Sequence, residues 1–142
     1  VTADNAPVVL RVGMDGAVTR VPFVVDERGG AGALFREQIG CSLYDVISLD
    51  DRTDMWVDDE AIVGVDFGDR EALADATNIV ATMIANRFGR RQPVFGAAVI
   101  AGLAGESAAP LDEEQLARLE PLAEMSVAIF ADALTARAGG GR

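Results

Sequence analysis

The chain has 142 residues, half of them hydrophobic, and a formal net charge of -11. That length and apolar content suit a compact unit with a real core, while the charge disfavours direct contact with nucleic-acid phosphates or an anionic membrane. Lys and His are absent and Cys41 is the only cysteine, which removes the commonest general base, a lysine base, an internal disulfide and any cysteine-cluster metal site.

Residues 1–6 read as a polar, frayed start without a charged-then-apolar leader, and no stretch reaches the ~20 apolar residues that span a bilayer. A cytoplasmic chain with no membrane contact is the expectation. Pro7 to Val12 reads as a strand, Met14-Asp15-Gly16-Ala17 as a tight turn and Val18 to Val25 as the return strand. Pro22 cannot donate to a ladder, so this hairpin belongs at a sheet edge or a bulge. After a Gly-rich loop, Ala33 to Ile39 forms a short helix with Leu34 or Phe35 and Ile39 inward and Gly40 as its stop.

A second hairpin follows. Leu43 to Leu49 is one arm, Asp50-Asp51-Arg52-Thr53 the connection, and Asp54-Met55-Trp56-Val57-Asp58-Asp59-Glu60 the other arm. Met55 and Val57 share one parity and Trp56, the only Trp, has the other, so this strand buries large residues on both faces. Ala61 to Phe67 either continues it or runs as an extended loop. A helix capped near Asp69 runs to about Arg87, with Leu73, Ala76, Val80, Met83, Ile84 and Arg87 as the inward stripe. Val94 to Leu103 is apolar almost throughout and reads as a fully buried central strand, with Gly96 permitting close backbone approach.

Asp112 and Gln115 make a variant capping box, and Leu111 with Leu116 a hydrophobic staple, for a helix that Pro121 kinks or splits. Its second part, Leu122 to about Arg137, turns Leu122, Met125, Ile129, Ala133 and Ala136 to one side, and Gly139-Gly140-Gly141 form a tail. The fold class is therefore α+β: a mixed or antiparallel sheet of two hairpins and a central strand, packed by helices. Residues 1–110 make that unit. Residues 111–142 make the kinked helix and Gly-rich tail, packed on the unit or on a partner subunit.

Several stretches resemble a family of small actinobacterial, phage and plasmid proteins catalogued as a domain of unknown function. They are Gln38-Ile39-Gly40-Cys41, Val46-Ile47-Ser48-Leu49, Asp54 to Ala61, Asn78-Ile79-Val80-Ala81-Thr82 and Phe95 to Gly102. The resemblance covers roughly residues 18–103, with Cys41 and Ala61 standing where the family often has Gly. It implies no catalytic residues. It implies an accessory role linked to mobile elements.

Each candidate site has a plain structural reading beside the functional one. Asp50, Asp51, Asp54, Asp58, Asp59 and Glu60 are the densest carboxylates. Calcium would need converging oxygens and a central Gly, so they read as solvated strand ends or as an acidic interaction surface. Gly29, Gly30 and Gly32 could hold an anion on backbone amides, but no Gly-Lys-Ser/Thr follows and a flexible loop is the simpler reading. Arg90 and Arg91 at a helix end cap its dipole or meet a phosphate or an acidic ligand. Cys41, with Glu37 nearby, reads as a small buried residue rather than a nucleophile. Trp56 is a core residue, with a ligand-stacking surface or an interface anchor as its functional readings, and Met125 and Ile129 are expected in a homodimer contact. The functional expectation is a non-enzymatic, acidic, phage- or plasmid-associated accessory protein without cofactor. It binds a host protein, in one form as a nucleic-acid-like competitor; the alternative is a small-ligand binder for phosphate or nucleotide.

Overall fold

The computed structural model describes residues 6–140; residues 1–5 of the frayed start expected for residues 1–6, and Gly141 of the tail, lie outside them. The elements in chain order are β1 (Val8–Val12), β2 (Val18–Pro22), α1 (Gly32–Ile39), β3 (Tyr44–Asp50), β4 (Thr53–Asp58), α2 (Arg70–Ala76), α3 (Ile79–Arg87), β5 (Ala98–Ala104), β6 (Ser107–Ala109) and α4 (Glu113–Gly140). One sheet runs β2-β1-β5-β4-β3 with β6 also on β5, and every pairing is antiparallel. This is the α+β architecture that the two hairpins and the apolar run announce.

Helices cover both faces of the sheet. On one face, Leu10, Val12, Met55, Ala98 and Ile100 pack with Val80 and Ile84 of α3 and Leu116, Leu119 and Ala123 of α4. On the other, Val9, Val99 and Ala101 pack beneath Leu34, Phe35 and Ile39 of α1, with Trp56 and Tyr44 beside them. Strand β5 feeds both cores, which is why its sequence is continuously apolar rather than alternating. Gly40 stops α1 in the left-handed conformation, φ 78°, and its N–H closes on Arg36 O.

The structure departs from the sequence reading at several elements. Strand β2 ends at Pro22, opposite Val8 where β1 begins; one more bond, Phe23 N–H on Pro7 O, follows, and Val24 and Val25 stay exposed. The central strand begins at Ala98 rather than Val94. Residues 61–67 form turns, with Val63 N–H on Glu60 O and Val65 N–H on Ile62 O, not a continued strand.

The long helix expected from Asp69 to Arg87 is two helices. Asn78 breaks it: its Oδ1 accepts from Ala81 N–H at 3.0 Å, while its Nδ2 donates to Val12 O at 3.1 Å and Gly96 O at 2.9 Å. Its own N–H donates to Val94 O at 2.7 Å. A buried side-chain amide satisfied by three bonds, with the backbone N–H of the same residue paired as well, outweighs one more turn of helix. Of the expected inward stripe, Val80 and Ile84 are buried, Leu73, Ala76 and Met83 half-buried, and Arg87 exposed.

Helix α4 runs unbroken through Pro121 and onward to Gly140, so it is not split, and Gly139 and Gly140 belong to it rather than to a tail. Its start is the expected box: Gln115 N–H donates to Asp112 Oδ1 at 2.7 Å and Asp112 N–H to Gln115 Oε1 at 2.9 Å. Leu111 and Leu116 are both buried beside it.

Candidate functional site

The six carboxylates do not converge. Strand β4 separates Asp50 and Asp51 at one end from Asp58, Asp59 and Glu60 at the other, a span of roughly 17 Å at the usual strand rise. Asp50 is engaged by Arg118 of α4 at 3.0 Å and Arg52 by Asp112, while Gln115 Nε2 donates to Arg52 O and Thr53 Oγ1. Burial would raise the Asp50 carboxyl, but the Arg52 N–H, the Thr53 hydroxyl and Arg118 together hold it below the ordinary value. These contacts clamp the β3–β4 turn to the start of α4. The cleft of about 350 Å³ there is lined by Asp50, Arg52 and Arg118, which already have partners, together with the exposed Asp51 and Glu114. Asp58 turns the chain, accepting from Glu60 N–H at 2.8 Å. Asp54 alone is buried, and burial followed by the proximity of Asp50 raises its pKa.

The Gly29–Gly32 loop is closed around a carboxylate of its own. Asp26 Oδ1 accepts from Arg28 N–H at 2.8 Å and Gly30 N–H at 3.0 Å, and Asp26 N–H donates to Gly30 O. Amides that would receive an anion are thus already turned onto one. Gly32 opens α1 under the Tyr44 hydroxyl, which would stand 2.8 Å from any added Cβ. Arg90 lies against the same strand, β3, further along, donating from Nε to Ser48 O at 2.5 Å, and Arg91 is exposed. The structure does not bring the glycines and the arginines together.

Trp56 is a packing residue. Its ring stacks on Phe35 at 4.5 Å and 18° and meets Tyr44 edge-on at 5.4 Å. Its Nε1 is buried without a hydrogen-bond partner. Cys41 is half-buried beside this cluster. Burial and the nearby Asp58 raise its thiol pKa, with Arg36 opposing, which is the reverse of what activates a cysteine. Among the described residues no group of three or more His, Cys, Asp or Glu is placed to hold a metal ion. No described helix is long and apolar enough to cross a membrane.

A further feature is an apolar surface shared by α3 and α4. The core side of α4 is Leu116, Leu119, Ala123 and Ser126, so Met125 and Ile129 point away from it and are 40% and 49% exposed. On α3, Ile79 is exposed and Met83 half-buried one turn later. Met83, Asn86, Arg87, Met125, Ser126 and Ile129 line an open groove of about 270 Å³, with Arg87 Nη2 4.0 Å from Met125 Sδ. Beyond it α4 continues with Ala131, Asp132, Ala133 and Thr135 all exposed. The Met125 and Ile129 spacing was legible in the sequence. Ile79 was missed because the single-helix reading assigned it no face, and the four-residue step from Ile79 to Met83 was the available signal.

The fold and this surface define a small antiparallel α+β domain with helices on both faces and an uncovered two-helix stripe. Comparison with family models, curated proteins and solved structures finds no match to the chain.

Proposed function

We propose that the chain is a non-catalytic interaction protein whose helical face, Ile79 and Met83 of α3 with Met125 and Ile129 of α4, packs against the same face of a second copy. The observation that carries this reading is the apolar groove between α3 and α4, beyond which α4 continues with Asp132, Ala133 and Thr135 exposed. Isolated helical turns are marginal in water, so an exposed, half-apolar helix is best explained by something packed on it. A two-fold related pair of helix pairs would bury both stripes in a four-helix contact. The absence of His and Lys from the sequence fits a binding role. The acidic exterior, with Asp59 and Glu60 exposed at one end of β4, is then offered to a protein with a basic surface, in keeping with the accessory role that the family resemblance implies.

The test is the pair Met125→Glu and Ile129→Glu on a calibrated sizing column. Truncating or charging a buried anchor typically costs ~2 kcal/mol or more, about a 30-fold or greater loss of affinity, so the double variant elutes as a monomer where the parent elutes as a dimer. Identical elution of the two proteins rejects the reading.

A further inference from the structure

We infer that Asp45 and Arg90 form a latch that keeps the outer edge of β3 from pairing with β3 of a second copy. The inference is independent of the helical face. It begins with the ladder. Asp59 N–H donates to Leu43 O at 3.1 Å, and β3 and β4 keep one register from Tyr44↔Asp58 to Ser48↔Asp54. Antiparallel ladders alternate, so Asp45 and Ile47 spend their backbone groups on β4, and Tyr44, Val46 and Ser48 turn theirs outward. The far side of β4 agrees: Leu103 N–H on Arg52 O sets the same alternation against β5.

Two of those outward groups are occupied, each by a side chain. Val46 N–H donates to Asp45 Oδ1 at 2.8 Å, and Ser48 O accepts from Arg90 Nε at 2.5 Å. The opposite edge, β2, is blocked differently. By the same alternation, with Gly13 N–H on Ala17 O and Phe23 N–H on Pro7 O, Val18, Arg20 and Pro22 face outward, and the proline among them has no N–H to give. Edge β3 lacks a proline, and Val46 is 42% exposed on it, so without its caps it is the edge open to templated pairing.

The partner it fits is itself. An antiparallel two-fold centred on Val46 sets Val46 against Val46 and Tyr44 against Ser48 of the other copy, using only outward-facing backbone groups. That pairing needs the Val46 N–H and the Ser48 carbonyl from both chains, which are the two groups the latch holds. No carboxylate then lies directly opposite another, since Asp45 faces Ile47. The bulge between Ser48 and Asp50 ends the compatible stretch.

The experiment uses the full chain carrying Met125→Glu and Ile129→Glu, so that helix-face association is absent. Into it go Asp45→Ala and Arg90→Ala together, which remove one negative and one positive charge and so leave the net charge of that background unchanged. The expected result is a doubled mass by light scattering, and a disulfide-linked dimer on mild oxidation once Cys41→Ser and Val46→Cys are added. Asp45→Asn with Arg90→Lys, which keep an acceptor and a donor, should restore the monomer. A folded, monomeric alanine variant overturns the inference, as does an assembly that Val46→Cys fails to cross-link. If the alanine variant does not fold, amide exchange decides. Val46 should exchange faster in Asp45→Ala but not in Asp45→Asn, and equal rates overturn it.

Discussion

Asn78 shows how much one side chain can decide. It caps α3, closes the ends of β1 and of the segment entering β5, and is 1% exposed. Replacing it with Ala removes the cap and strands the buried Val12 carbonyl and the half-buried Gly96 carbonyl, so urea unfolding of Asn78→Ala should show a loss of about 2–4 kcal/mol. Hydrophobic spacing hid this residue, because an Asn inside a periodic stripe looks like an exposed helical position until its partners from β1 and β5 are known. Asp54 is the opposite case, a group that costs stability. Its folded pKa is raised by burial and by Asp50, so its favourable contribution is present below the ordinary value and is lost as pH rises through the folded one. Asp54→Asn should therefore melt higher than the parent at pH 7, with the gap closing as the pH falls towards 4. A gap that stays constant with pH would assign the effect to something other than ionisation.

Among the elements, the β1–β2 turn and α4 depend on each other. Gly16 has φ +88°, and an added Cβ would stand 3.0 Å from the Phe130 ring. The Asp-Gly pair was legible as a turn, but nothing local says that a helix more than a hundred residues later lies against it. Gly16→Ala combines backbone strain with that contact and should cost about 1–3 kcal/mol by thermal unfolding. Removing the ring with Phe130→Ala in the same chain should recover part of the loss if the contact contributes. Helix α4 is the element where local rules misled most. Pro121 announces a break, yet the first half is clamped by Arg118 to Asp50 and by Arg20 to Glu120 at 2.5 Å, and its core residues are buried on both sides of the proline. Tertiary packing outweighs the missing hydrogen bond. Glu120 is held below its ordinary pKa by Arg20 against a smaller effect of burial. The stability contributed by that pair is thus present above the ordinary carboxylate range and lost as pH falls through the lowered value.

For the whole molecule, alternation and turn chemistry made both hairpins and the buried strand readable, because those signals depend on neighbours in the chain. The sheet order, the division of the acidic residues between two ends of β4 and the capping of β3 by Arg90 were not readable, because each depends on groups brought together only by folding. The same holds for the candidate surface: the spacing of Met125 and Ile129 marked a face, but only the packed helix pair shows that this face is turned from the core. The account stands on that face meeting its own copy. Sedimentation equilibrium of the unmodified chain measures this directly: the account predicts a concentration-dependent approach to twice the 14.9 kDa chain mass, abolished by Met125→Glu with Ile129→Glu. A single species of the chain mass at every concentration would contradict it.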